Sequence, residues 1–433
     1  MATHRITQAD IKDWAKNYKG ELFDGILCDP PYELGFMGKS WDSSGIAFDA
    51  EMWSDIYKLL KPGGHLLAFS GSRTYHRMAV AIEDAGFEIR DMIEWVYGSG
   101  FPKSLNIAKK LEGVTGTQSA GFNTAGGKEN FNKQDKSFRS DYGYVWKPTD
   151  ERAKQWEGYG TALKPAHEPC VLARKPLDKG MTVANNVLKH GTGGLNIDGT
   201  RVEAEPELSK NWTDRKAPAG FNGDKSGIYG SGKTDTPSDY TPTGRFPANL
   251  ILSDDPEVEA VFPQTKSGDI KPHHHKSNVY GGNALLSSKT INSSVATYGD
   301  SGSASRFFYT AKASKSERNA GLEGFEPQIT NDGREKDIDN AFQRGTTLRS
   351  NHHPTVKPLS LTKYLATLIK PPTGGRLLVP FSGSGSEMIG ALQAGWEYVE
   401  GVELTEEYIP IAEARIKYWL EKLEEESKQV SLI

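Results

Sequence analysis

Arg376-Leu377-Leu378-Val379-Pro380-Phe381-Ser382-Gly383-Ser384-Gly385-Ser386 sets the fold. A short apolar run reads as a buried strand, the Gly-x-Gly turn ends it, and helical spacing follows over 387–394. The next apolar run, 398–403, is a second strand that ends on Glu403, and 405–420 reads as an amphipathic helix before the acidic residues 421–426. A strand, a glycine turn, a helix and an acid on the following strand suit a nucleoside cofactor. The glycines let the backbone approach the ligand, and the acid accepts hydrogen bonds from ribose hydroxyls. Gly383 and Glu403 have the spacing of about 20 residues expected of such a pair. The turn lacks the third glycine of a dinucleotide fingerprint and the lysine of a P-loop, which disfavours NAD and ATP.

The same texture appears at the other end of the chain. Residues 1–100 alternate apolar runs with amphipathic stretches, the βαβ pattern of a mostly parallel sheet. Predicted helices over 51–60 and 75–85 frame a strand over 65–69, set off by the breaker Lys61-Pro62-Gly63-Gly64, and another strand spans 87–97. Earlier, Ile26-Leu27-Cys28 reads as a buried strand that the prolines of Asp29-Pro30-Pro31-Tyr32 must end, since they donate no ladder hydrogen bond. Asp29 is thereby placed at a strand's carboxyl end, where open α/β sheets bind their ligands. Between the two ends, 101–350 is rich in Gly, Ser, Asn and Lys, with apolar islands such as 169–173 and 248–252. The expected architecture is a doubly wound, mostly parallel α/β sheet. Residues 1–100 form an N-terminal catalytic half, 351–433 a C-terminal cofactor-binding half, and 101–350 an irregular insert with long loops.

Composition narrows the function. The formal net charge is −4. Residues 101–350 carry 34 basic against 30 acidic side chains while both ends are acidic, a bias that points weakly to a polyanion at the centre. Cys28 and Cys170 are the only cysteines, which excludes a disulfide framework and leaves no structural-zinc spacing. His273-His274-His275 is no metal site, because adjacent histidines do not converge on one ion. No run approaches the ~18 apolar residues of a membrane span, and no apolar core follows the first residues. A soluble, cytoplasmic protein without metal or membrane contact is expected.

Asp29-Pro30-Pro31-Tyr32 is the candidate catalytic set. An exocyclic amine on an aromatic base is a poor nucleophile, its lone pair being delocalised into the ring. The Asp29 carboxylate and the Pro30 carbonyl can accept its two N–H bonds and turn the lone pair toward an electrophile. Tyr32 can stack on a base flipped out of the duplex.

With these two motifs the chain resembles S-adenosylmethionine-dependent DNA amino-methyltransferases. The Asp-Pro-Pro-Tyr tetrad resembles their catalytic motif and Phe381-Ser382-Gly383-Ser384-Gly385 their cofactor loop, with the tetrad first, as in the β class. The segment from Asp29 to Asp42 looks like DNA methylases carried by phages and prophages. Residues 166–169 and 244–249 resemble the family more loosely. The resemblance implies a Rossmann-like methyltransferase sheet, a target-recognition insert, S-adenosylmethionine as cofactor, double-stranded DNA as partner, a bacterial or phage-infected host cell, and a restriction-modification setting. A homodimer stays open. His353-Pro354-Thr355-Val356-Lys357-Pro358 resembles the motif whose segment lines the methionine end of the cofactor, which assigns Pro354, Thr355, Lys357 and Pro358 to it. Asp10 sits where the family places an acid near the adenine ring, and Asp29 borders the cofactor as well. The family's tetrad begins more often with Asp for N6 of adenine and with Ser for N4 of cytosine, so adenine is favoured. The loop departs from the family in one respect: Val379-Pro380-Phe381 stands where Asp-Pro-Phe is usual. That departure keeps a non-catalytic DNA-binding relative as an alternative. A protein-glutamine methyltransferase, which faces the same lone-pair problem, is disfavoured by the motif order and the large insert.

For DNA contact the sequence offers Lys39 and, better, Arg306 beside Phe307-Phe308-Tyr309 with Lys312, Lys315 and Arg318 following. Trp95 and Tyr97, closing a predicted strand, serve either to wall the flipped base or to pack the core.

Overall fold

The computed structural model describes residues 2–34, 40–100, 104–115, 147–203, 244–266, 301–312, 314, 316–330 and 347–430. They fall into two compact units, Met1–Gly98 with His167–Ile433, and Ser99–Ala166.

The larger unit holds all the strands of the described residues. They are β1 Thr3–Gln8, β2 Phe23–Cys28, β3 Leu60–Phe69, β4 Glu88–Val96, β5 His167–Arg174, β6 Leu250–Ser253, β7 Gln264–Lys266, β8 Ser301–Ser303, β9 Tyr309–Ala311, β10 Gln328–Thr330, β11 Thr347–Arg349, β12 Arg376–Val379 and β13 Tyr398–Glu403. Nine of them form one sheet in the order β1-β13-β12-β2-β3-β5-β4-β6-β9. Every neighbouring pair is parallel except β3 with β5 and β5 with β4, so β5 alone runs against the rest. The strands from both chain ends interleave, because β12 pairs directly with β2.

Alternation of side chains gives the sheet two apolar faces. Leu27, Leu67, Phe69, Leu377, Val379 and Val399 belong to one core cluster with the helices Leu359–Ile369 and Ser386–Gln393. Their neighbours Ile26, Cys28, Leu66, Ala68, Leu378 and Val402 belong to the other, with the helices Ile11–Asn17, Ala50–Leu59 and Tyr75–Asp84. Period-2 burial on both faces makes the sheet doubly wound, as expected. Gly390 is required where the first two helices cross: a Cβ there would lie 2.3 Å from Thr362 Oγ1 and 2.6 Å from the Lys363 nitrogen.

Local expectations differ from the structure in three places. Lys61–Gly64 does not precede a strand; β3 runs through it, with a register shift against β2. The last helix, Ile409–Val430, continues through the acidic residues. The segment 101–350 supplies β5, β6 and β9, so the divisions at 100 and 350 do not coincide with the compact units. The islands at 169–173 and 248–252 are buried strands whose partners lie far away in sequence, which periodicity alone does not show.

The smaller unit joins the helices Ile107–Thr115 and Glu151–Lys154 through Glu112, whose carboxylate accepts from the Thr149 nitrogen at 2.7 Å. No helix among the described residues is long and apolar enough to cross a membrane.

Candidate active site

All six residues of β2 are buried, and Pro30-Pro31 stops the strand at the carboxyl edge of the sheet. The chain then turns through Glu33, which has a left-handed φ of 55° that is costly for a residue with a Cβ. Asp42 holds it by accepting from its nitrogen at 3.0 Å, and the Glu33 carboxylate accepts from the Gly45 nitrogen at 2.8 Å. Thr74 Oγ1 donates to the Tyr32 carbonyl at 2.8 Å. The tetrad is thus fixed from both sides of its exit turn.

Asp29 and Tyr32 meet two side chains brought in from elsewhere. Lys357 Nζ donates to Asp29 Oδ2 at 2.6 Å and to the Tyr32 hydroxyl at 3.0 Å, and lies 3.3 Å from Glu168 Oε2. The Tyr32 hydroxyl donates to the same Glu168 oxygen at 2.9 Å. The ammonium also sits 4.8 Å from the centre of the Phe69 ring and 5.3 Å from that of Tyr32. Burial alone would lower the Lys357 pKa, but the charges of Asp29 and Glu168 outweigh it and the net direction is up. Burial first, then the charges of Asp29 and Glu168, push the Tyr32 phenol well above its ordinary range. The other carboxylate oxygen, Asp29 Oδ1, is buried and has no hydrogen-bond partner. An acceptor left bare in this way carries a desolvation cost of about 1–3 kcal/mol until a donor arrives.

The glycine turn lies on the same edge. Gly383 has φ +48°, and a Cβ there would come 2.8 Å from His353 Nε2, so glycine is demanded by backbone and space alike. Its nitrogen donates to Glu403 Oε2 at 2.7 Å, and the Thr405 nitrogen donates to Glu403 Oε1 at 2.8 Å. Burial raises the Glu403 pKa. Gln8 pairs with Glu403, and Asp10, one residue beyond the turn that follows β1, caps the helix Ile11–Asn17 by accepting from the Lys12 nitrogen at 2.8 Å. Ser382 Oγ is buried without a partner. Arg415 Nη1 donates to the Ser384 carbonyl at 2.5 Å and is 3.0 Å from Ser384 Oγ, pinning the loop from the last helix. A glycine cradle, a carboxylate with lone pairs to spare and an orphaned hydroxyl form a donor and acceptor set that fits a nucleoside. Val379, where the family usually has an acid, is fully buried in the apolar cluster around Leu27 and Phe69.

Two groups near the site have no role that the sequence assigns. Glu168 comes from β5, whose place in the sheet is not legible locally. Glu387 opens the helix after the glycine turn and is 4 % exposed. Burial first and the Asp29 charge second raise its pKa to about 7, against the pull of Lys357 and Arg415. A carboxyl whose folded pKa lies above its unfolded value of 4.5 gives stability that is full below that value and lost as pH rises through about 7. Glu387→Gln is therefore expected to match the parent chain near pH 4.5 and to exceed it by on the order of 1–3 kcal/mol above pH 8. Urea unfolding across that range checks this, and parallel pH profiles for the two chains would contradict it.

The remaining candidates are placed as follows. His353 Nδ1 donates to the Thr355 carbonyl, and burial lowers the pKa of this imidazole to about 4. Thr355 is exposed, Pro354 partly buried, and Pro358 precedes the helix Leu359–Ile369. Phe381 packs against the second core cluster. Trp95 pairs across β4 and β5 with Glu168, and the Tyr97 phenol is pushed up to about 12 by burial first and Glu168 second. Arg306 Nη1 donates to Thr265 Oγ1 on β7 and to Gly302 O and Ser303 O of its own segment, all within 2.9 Å. Lys312 is exposed beyond β9, the edge strand farthest from β1. Lys39, Lys315 and His273–His275 lie outside the described residues. No group of three or more metal-ligating side chains occurs among the described residues.

A model of the DNA methylase family of N6/N4 type matches residues 23–414. The chain is 29% identical over 148 residues to the type II methyltransferase M.HindIII of Haemophilus influenzae, a match that covers 34% of this chain and 37% of that protein. It is 39% identical over 67 residues to the putative methylase YubD of Escherichia coli, covering 16% of this chain and 29% of the relative. The chain thus spans well under half the length of the curated relatives it matches. Among solved structures it is similar to the cytosine-N4-specific PvuII DNA methyltransferase, at 10% identity and a TM-score of 0.42, covering 95% of this chain and 86% of that one.

Proposed function

The chain belongs to the N6/N4 DNA methylase family, and from that membership we propose that it is a site-specific DNA methyltransferase that uses S-adenosylmethionine to methylate the N6 amine of a flipped-out adenine. One observation carries the reading: a buried carboxylate oxygen, Asp29 Oδ1, without a donor, at a strand end beside an aromatic ring. An amine N–H satisfies that oxygen, and the Pro30 carbonyl accepts the second. Because Oδ1 is sealed from water, base entry must displace part of its cover. Tyr32 then stacks on the base, a contact worth about 1–3 kcal/mol.

Glu403 would hold the ribose hydroxyls of the cofactor, with the backbone of 383–385 against it, Ser382 within the same cradle and Asp10 toward the adenine ring. Pro354, Thr355 and Pro358 would border its other end. When bound, S-adenosylmethionine supplies an electrophilic methyl group. The remaining work belongs to the chain. Asp29 and Pro30 aim the amine lone pair, Lys357 gives Asp29 a fixed counter-charge, and the Asp29 carboxylate is the nearest base for the proton the amine sheds after transfer. Positioning supplies most of the acceleration, and no covalent intermediate is needed.

Sequencing modified bases in DNA from cells that express the chain gives base and context together. N6-methyladenine in a recurring motif is the expected result. N4-methylcytosine would move the substrate to the other base of the family, and unmodified DNA would contradict the reading.

A further inference from the structure

Three oxygens surround the Lys357 ammonium, two as hydrogen-bond acceptors and one as an ion-pair partner. They are Asp29 Oδ2 at 2.6 Å, the Tyr32 hydroxyl at 3.0 Å and Glu168 Oε2 at 3.3 Å. The Tyr32 hydroxyl in turn donates its own proton to Glu168 at 2.9 Å. Asp29 Oδ1, the bare oxygen that the reading above gives to the substrate amine, is left with no ammonium donor. The side chains are held closely: Lys357 is 7% exposed, Asp29 14% and Glu168 22%.

We propose that Glu168 is a positioning residue for the amine-accepting site, pairing its charge with the Lys357 ammonium and accepting from the Tyr32 phenol so that Asp29 Oδ1 stays open to the substrate. This rests on the reading of Asp29 as the acceptor of the amine. Without Glu168 the Lys357 ammonium loses one of its two carboxylate partners and is drawn toward the other, Asp29, which has one unsatisfied oxygen. The ammonium then bridges both oxygens of Asp29 and competes with the amine for its place. The phenol loses its acceptor in the same change, so the ring that stacks on the base loses its anchor. Neither effect touches the glycine cradle, where the cofactor would sit. Glu168 can do this because β5 runs antiparallel between β3 and β4: its amino-terminal end reaches the edge where the parallel strands have their carboxyl ends.

The test compares the parent chain with Glu168→Ala and Glu168→Gln. It measures kcat and KM for methyl transfer to DNA and, by calorimetry, the affinity for S-adenosylmethionine. Displacing an acceptor by about 1 Å can cost a hundredfold in rate. Glu168→Ala is therefore expected to lower kcat roughly ten- to hundredfold, with cofactor affinity unchanged within about twofold. Glu168→Gln, which keeps an acceptor for the Tyr32 phenol but not the charge beside Lys357, is expected to recover part of the loss. If Glu168→Ala fails to melt cooperatively, Glu168→Asp serves in its place, since it withdraws the carboxylate while keeping its charge, and the same fall in kcat is expected. Turnover by Glu168→Ala equal to that of the parent would overturn the proposal, as would a loss confined to KM or cofactor affinity. A parent chain that transfers no methyl group to DNA would instead bring down the functional reading, and this proposal with it.

Discussion

Asp29→Ala is expected to lower methyl transfer by about a thousandfold or more, while S-adenosylmethionine binds within a few-fold of its affinity for the parent chain. The expectation follows from where Asp29 sits. It is on the rigid end of a fully buried strand, with one oxygen held by Lys357 and the other bare. On the proposed reading, alanine removes the acceptor that orients the amine and the group nearest to the proton shed after transfer. The cradle at Gly383 and Glu403 is tied by its own hydrogen bonds and is left in place. Lys357 keeps Glu168 as a partner, so the cluster does not become an unpaired buried cation. Rates from single-turnover assays, set beside calorimetric cofactor affinities, separate the two sites. An Asp29→Ala chain that turns over like the parent would remove Asp29 from the reaction.

Lys357→Met is expected to destabilise the fold by about 3–5 kcal/mol, because deleting one partner of a buried ion pair leaves uncompensated charge behind. Two carboxylates, Asp29 and Glu168, converge on that ammonium, and Tyr32 lies between them. Methionine fills similar space against Phe69 but donates nothing. Denaturant unfolding measures the loss. Stability equal to that of the parent would mean that the cluster relaxes without cost. Family resemblance alone assigns Lys357 to the cofactor. In the structure its ammonium is engaged by the tetrad, and the resulting counter-charge is what the stability measurement senses.

Short-range chemistry makes half of the site legible from the sequence. The strand that ends at Pro30-Pro31 and the turn at Gly383-Ser384-Gly385 each declare themselves within a few residues, because proline and glycine constrain the backbone locally. The alternation that buries Leu27 on one face and Ile26 on the other follows from the same short run. Contacts over long separations are hidden. Lys357 meets Asp29 across 328 residues, and Glu168 reaches Tyr32 across 136. No local pattern shows that the island at 169–173 enters the sheet backwards, beside β3. Glu387 reads only as the start of a helix, and its burial depends on elements that pack over it from elsewhere. Arg306 resembles a phosphate contact beside three aromatic residues, yet its Nη1 is taken up by neighbouring carbonyls and a threonine hydroxyl.

The composite site of Asp29, Tyr32, Lys357 and the glycine cradle is tested most directly by weighing the product. Purified chain is incubated with unmodified DNA and S-adenosylmethionine, and the DNA is digested to nucleosides for mass analysis. N6-methyldeoxyadenosine from the parent chain and none from Asp29→Ala is the expected result. A methyl group on a ring carbon, or no methylated nucleoside at all from a chain that binds S-adenosylmethionine, would contradict it.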